Sequence, residues 1–218
     1  MGIGIIIVIT GCRGTPKEAR IAWTPPSAEL AAPLYRIADH KAKASGEDIP
    51  AWLIRYDSGG IPQVEYLEAY QDRYVFIAET SGTNAAVLDQ WRSNFQLSLD
   101  FAGLVAPRIQ NRFTKEIRTF PEQEYGAFFE AVIKTAYDTV YAGAVQEDDF
   151  WLKKQYVAED GVTPDKEIYV FFILVSISKT ALQQQIQRIL DTAEPARNLT
   201  KEQLSAAARL KERFFQFF

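Results

Sequence analysis

The spacing of apolar residues changes period along this chain, and each change marks an element. Over 73–79, Tyr74, Phe76 and Ala78 alternate with Val75 and Ile77, the period of two that predicts a strand. Just before it, Val64, Leu67 and Tyr70 fall on one side of a short helix over 62–70. Beyond Ser81-Gly82-Thr83 the period lengthens. Leu88, Trp91, Phe95, Leu99, Ala102, Val105, Ile109 and Phe113 recur three or four residues apart, which predicts a long helix with one buried face. Pro107 lies inside that run. A proline lacks the amide donor and crowds the preceding turn, so a kink or break is expected near Gly103.

The following helix is the best specified. Tyr125, Phe128, Phe129, Val132, Ile133, Ala136, Tyr137, Val140 and Tyr141 form one broad apolar stripe. Pro121 suits the first helical position, Glu122 and Glu124 suit the positive end of the dipole, and Gly143 suits the stop. Two strands follow, 150–158 and 167–178, on either side of a turn over 160–165, and they read as a hairpin. The second carries Ile168-Tyr169-Val170-Phe171-Phe172-Ile173-Leu174-Val175, apolar on both faces. It is therefore expected at the centre of a sheet covered on both sides, by helices, the preceding tether or another chain. Lys153 and Lys154 interrupt the first strand and suit an edge. A helix with Leu182, Ile186, Ile189 and Leu190 comes next, and a last helix opens with the capping-box pair Thr200 and Gln203. The fold class is α+β: a small antiparallel sheet (strands about 73–79, 150–158 and 167–178) packed with a long helix pair and C-terminal helices, in a single domain over 49–218.

The N-terminus follows another logic. The apolar run Ile3-Gly4-Ile5-Ile6-Ile7-Val8-Ile9 and the small pair Thr10-Gly11 lead directly to Cys12, as at the end of a bacterial lipoprotein signal. A β-branched run of this length also fits a buried strand, but it starts at Met1 and the chain turns polar at once with Arg13-Gly14-Thr15-Pro16-Lys17. No Lys or Arg precedes the run, unlike most export signals. The run is also shorter than the roughly 20 residues a spanning helix needs. The expectation is a signal peptide over 1–11, cleavage, and lipidation of Cys12. Its two or three acyl chains, at about 0.8 kcal/mol per buried methylene, would hold the protein on the bilayer. Arg13, rather than Asp, after the cysteine favours the outer membrane, on its periplasmic face. Residues 12–48 then form a tether containing Trp23-Thr24-Pro25-Pro26-Ser27, with a short helix from Ala28 to Ala42.

Composition excludes more than it assigns. The formal charge is −4 and no basic cluster is present, so no nucleic-acid partner is expected. With one cysteine no intramolecular disulfide forms. His40 is the only histidine and lies in a peripheral segment, where a solvated side chain is expected. That speaks against a Ser-His-Asp triad, a Cys-His pair and a histidine-ligated zinc. Glu147-Asp148-Asp149 carries the oxygens a hard cation needs, yet reads as a solvated charge cluster. Asp160-Gly161 lacks the alternating ligands of a calcium loop. No catalytic residue, metal or cofactor is assigned. Aromatic residues make up 13% of the chain and supply the remaining candidates. Phe214, Phe215, Phe217 and Phe218 either dock the last helix on the domain or form an anchor for a partner or a bilayer. Trp91, Trp151 and Tyr169 could line a pocket for a small molecule or glycan, and a carboxylate pair for cell-wall hydrolysis would be visible only in space.

At Ile49-Pro50-Ala51-Trp52, Arg73-Tyr74-Val75-Phe76-Ile77-Ala78, Asp149-Phe150-Trp151 and the strand Ile168 to Ile177, the chain resembles a largely uncharacterised family of bacterial lipoproteins. More distantly it is similar to the LPP-twenty lipoproteins and the flagellar accessory outer-membrane lipoproteins. The likeness covers roughly Pro50 to Leu190 and is architectural: a Pro-x-Trp start, an alanine-bearing helix, and a hairpin pairing a Trp-bearing strand with a Tyr-Val-rich one. The long helix pair before the hairpin and the C-terminal aromatic helix depart from it. The resemblance implies a compact α+β domain and an envelope-structural or partner-binding role, and it transfers no active-site residue. The expected function is thus non-enzymatic, with an envelope protein partner or self-association. A small-molecule or glycan module and a carboxylate-dependent hydrolase are the alternatives.

Overall fold

The computed structural model describes residues 35–117, 122–158, 163–193 and 200–217. Four strands, β1 (Tyr35–His40), β2 (Arg73–Gly82), β3 (Ala144–Val157) and β4 (Pro164–Ser178), form one antiparallel sheet in the order β1-β3-β4-β2. Seven α-helices are present among the described residues: α1 (Ala51–Gly59), α2 (Ile61–Glu65), α3 (Ala85–Asn94), α4 (Leu97–Ile117), α5 (Glu122–Asp138), α6 (Lys179–Thr192) and α7 (Lys201–Arg213). The α+β class read from the sequence is the one observed.

β4 is central, as its unbroken apolar run predicts. Val170 to Ile177 are all buried, because side chains alternate between two covered faces. On one face Ile173, Val175 and Ile177 join Tyr74 and Phe76 under α4, α5 and α6. On the other, Val170, Phe172 and Leu174 join Val75, Phe150 and Leu152 under Trp52, Leu53 and Val64 of α1 and α2. Each fully buried large apolar side chain contributes about 1.5–3 kcal/mol, and a strand with two buried faces draws on both cores.

Several expectations are corrected. Residues 35–40 form the edge strand β1 paired with β3, where a helix over Ala28 to Ala42 inside a tether over 12–48 was expected. The sheet accordingly includes residues before 49. β3 is consequently interior, and it starts at Ala144, taking the acidic run into the sheet. The long helix breaks at Phe95 and Gln96 and not near Gly103; α4 runs unbroken through Gly103 and Pro107. The break is set by caps. The Asn84 side chain accepts the N–H groups of Ala86 and Val87 to open α3, and Asp100 accepts the Gln96 N–H at 2.6 Å to open α4. The expected helix over 62–70 is α2 followed by a 3₁₀ turn at Glu68–Tyr70. α5 ends at Asp138, and Gly143 instead serves the turn into β3 with φ of 85°. β3 and β4 pair as the expected hairpin; residues 159–162 of its turn, like Pro121, lie outside the described residues.

Candidate functional site

β2 is an edge strand, and its ladder shows which backbone groups it leaves open. Lys179 donates its N–H to the Asp72 carbonyl at 2.9 Å. In the antiparallel register that continues from this bond, the even-numbered residues of β2 bond to β4, and Val75, Ile77, Glu79 and Ser81 aim their N–H and C=O groups outward. At Val75 two side chains take the place of a neighbouring strand. Glu65 accepts the Val75 N–H at 3.0 Å, and Arg108 donates to the Val75 carbonyl at 3.3 Å. These two side chains also bond each other at 2.9 Å. The guanidinium lies 4.7 Å from the Tyr74 ring centroid and 5.3 Å from that of Phe76, a cation–π arrangement that fixes its plane. Among the described residues no such partner meets the outward groups of Ile77 or Glu79.

Beside Ile77 and Glu79 opens a cleft of about 670 Å³. Its apolar wall is Trp91 and Phe95, with ring centroids 6.5 Å apart, together with Leu104; all three are half-buried against the core. Gly103 also lines it, and a Cβ placed there would meet nothing within 4 Å. The carboxylates of the cleft are Glu79 and Asp100. Glu79 accepts the Tyr56 hydroxyl at 3.0 Å, and Asp100 caps Gln96. The Glu79 carboxylate and burial together push the Tyr56 hydroxyl up to about 12, burial being the larger cause.

The expected aromatic trio is divided. Trp151 and Tyr169, 6.0 Å apart, line a notch of about 270 Å³ with Phe171 and Asp89, whereas Trp91 belongs to the edge cleft. The notch falls below the roughly 300–1,000 Å³ of ordinary ligand pockets, and Phe171 stacks on Trp151 at 6.2 Å.

The acidic run, expected to be a solvated cluster, is paired with neighbours, with Glu147 still exposed and Asp148 and Asp149 half-buried. Glu147 accepts from Ser176 and pairs with Arg73 at 3.6 Å. Asp148 accepts the Trp52 indole N–H at 2.9 Å, and Asp149 pairs with Lys41 at 2.6 Å and Arg92 at 3.4 Å. Among the described residues no cluster of metal-ligating side chains occurs. His40 is half-buried rather than solvated. Its ring stacks on Phe150 at 6.0 Å, and its Nδ1 is buried with no hydrogen-bond partner among the described residues.

The C-terminal phenylalanines also resolve in part. Phe214 is fully buried on Phe113 at 5.3 Å and Phe215 is half-buried against the same core, so Phe214 is a docking residue and not an exposed partner anchor. The side chain of Phe217, Phe218, and Cys12 lie outside what is described. No helix among the described residues is long and apolar enough to cross a membrane. Searched against protein-family models, curated proteins and solved structures, the chain matches none.

Proposed function

We propose that this chain is a lipid-anchored protein of the bacterial envelope, held through acylated Cys12, whose α+β domain works by binding a partner and not by catalysis. The resemblance to bacterial lipoproteins and the apolar run ending in Thr10-Gly11-Cys12 support the anchor. The observation that carries the binding role is the half-open edge of β2 beside an apolar cleft. The polar groups a hydrolase or cation site would recruit are committed elsewhere: the acidic run to Arg73, Trp52, Lys41 and Arg92, and Asp100 to a helix start. The outer membrane is the favoured address.

The test is Cys12→Ala with membrane fractionation and mass spectrometry of the mature polypeptide. The wild-type chain is expected to begin at Cys12 carrying fatty acid and to stay on membranes through a salt wash, and the variant to be released. An intact Met1 without fatty acid, or a variant still bound after the wash, overturns the anchor.

A further inference from the structure

We propose that β2 takes up an extended peptide of another protein along Ile77 to Ser81, as a fifth strand. One apolar side chain of the peptide sits in the adjoining cleft, with a basic residue beside it. This rests on the partner-binding reading above and names the chemistry of the partner.

Three observations converge on one stretch of backbone. The outward N–H and C=O groups of Ile77 and Glu79 repeat at about 7 Å, the two-residue spacing of a strand, and a second extended backbone is the ligand that meets both together. At Val75, one step along, the chain supplies Glu65 and Arg108 as substitutes for such a neighbour, and at Ile77 and Glu79 it supplies none among the described residues. The cleft then lies where the side chains of an added strand fall. In an antiparallel ladder the residues bonded to Ile77 and Glu79 project on the face of α1, and those between them project toward Trp91, Phe95 and Leu104. Finally, the charged side chains lining the cleft are Glu79 and Asp100, with no Lys or Arg. That favours a basic neighbour to the apolar residue. It also opposes a second copy of this chain, whose own Glu79 and Asp100 would be brought against these.

The probe is a labelled peptide, acetyl-Thr-Lys-Thr-Leu-Thr-Lys-Thr-amide, titrated by fluorescence anisotropy into the purified full chain. Two further peptides carry N-methyl groups either on the central threonines or on the leucine and lysines. N-methylation in the register that bonds to the edge is expected to weaken binding at least about tenfold, and in the alternate register no more than about threefold. Gly103→Leu, which fills the cleft from an exposed helical position with open space around its Cβ, is expected to lose binding while keeping the wild-type melting temperature or raising it. Glu79→Pro, which removes an outward N–H and no ladder bond but also the acceptor of the Tyr56 hydroxyl, is expected to lose binding with a slightly lowered melting temperature and an unchanged circular dichroism spectrum. Equal binding by both N-methyl series, undiminished binding to folded Gly103→Leu, or an absence of binding at millimolar peptide overturns the proposal. So does a wild-type dimer in sedimentation that Glu79→Pro dissolves, since that assigns the edge to a second copy. The titration does not depend on acylation, so a failed anchor and a failed edge are told apart.

Discussion

Replacing Phe214 with Ala tests whether the C-terminal element is part of the fold. Phe214 opens the 3₁₀ turn Phe214–Phe217 after α7 and is fully buried. Its ring lies 5.3 Å from Phe113 and 5.3 Å from Phe215. Truncating a buried Phe to Ala costs about 3–5 kcal/mol in transfer and cavity terms. The lower end applies here, because a terminal element can detach by itself and so caps the loss at its own local stability. Arg112 resists that detachment, donating through Nε to the Phe214 carbonyl at 2.9 Å and through a terminal nitrogen to that of Arg213 at 3.1 Å, bonds the substitution leaves in place. With about 3 kcal/mol lost and 2–4 °C per kcal/mol for a domain of this size, Tm should fall by about 6–12 °C, read by circular dichroism and checked against the urea midpoint. Leu204→Ala is the control, 56% exposed on the preceding helix α7, and should stay within about 0.5 kcal/mol of wild type. A Phe214→Ala melt within about 2 °C of wild type would refute the docking argument and return this phenylalanine to the surface.

The other predictions concern the sheet and its edge. Arg108→Met leaves Glu65 without its cation and the Val75 carbonyl without its donor; it should cost about 1–3 kcal/mol in urea unfolding, and a double-mutant cycle with Glu65→Gln should show a coupling of at least about 0.5 kcal/mol if the pair acts as a unit. Gly103→Ala should raise stability by about 0.5–1 kcal/mol, because the new methyl meets open space in a helix interior; a loss would mean the glycine is needed for the backbone of α4. Burial raises the Tyr141 hydroxyl and helps push that of Tyr56 to about 12, whereas an unfolded phenol ionises near 10. Folded-state values above the unfolded ones give stability that is complete below about pH 10 and lost as pH climbs toward 12. Urea midpoints taken from pH 9 to 12 should fall across that window, and less steeply in Tyr141→Phe.

What the sequence could reveal followed the range of the forces involved. β4 and α5 were legible because their apolar patterns are local and long, and β3 was legible in its second half for the same reason. β1 was missed because Tyr-Arg-Ile-Ala-Asp-His carries little pattern of its own; its strand conformation comes from bonds to β3, over a hundred residues away. The break between α3 and α4 was misplaced because both helices present apolar residues to one core, so the period runs through Phe95 without interruption. The signals that decide it, Asn84 and Asp100, are polar residues acting on neighbouring amides. Pro107 drew the prediction of a break that the fold does not make. The carbonyl it deprives of a donor is that of Gly103, four residues back, and Gly103 is exposed, so water can serve it. The edge cleft had no sequence signature, since Trp91 and Phe95 read as core positions and the outward groups of Ile77 and Glu79 belong to the backbone.

The two edges of the sheet are treated differently, and that difference argues for function at one of them. β1 is short, its ladder is interrupted between Ile37 and Asp39, and the Lys43 ammonium covers the Ala38 carbonyl at 2.8 Å. These are ordinary ways of blunting an edge against unwanted pairing. β2 pairs with β4 at ten consecutive positions without a bulge, so its outer side presents a regular template. The chain closes that template at Val75 with the half-buried Glu65–Arg108 ion pair and leaves the next two sites open. At those open sites it also places a glycine in a helix interior, at a cost of about 1 kcal/mol relative to alanine, and this keeps the adjoining cleft from filling. An open template and a glycine-floored cleft each run against stability or solubility, and they meet at one place. Departures from good local design concentrate where a surface has work to do, which is why Ile77 to Ser81, and not the buried Phe214, is where the proposed partner should be sought.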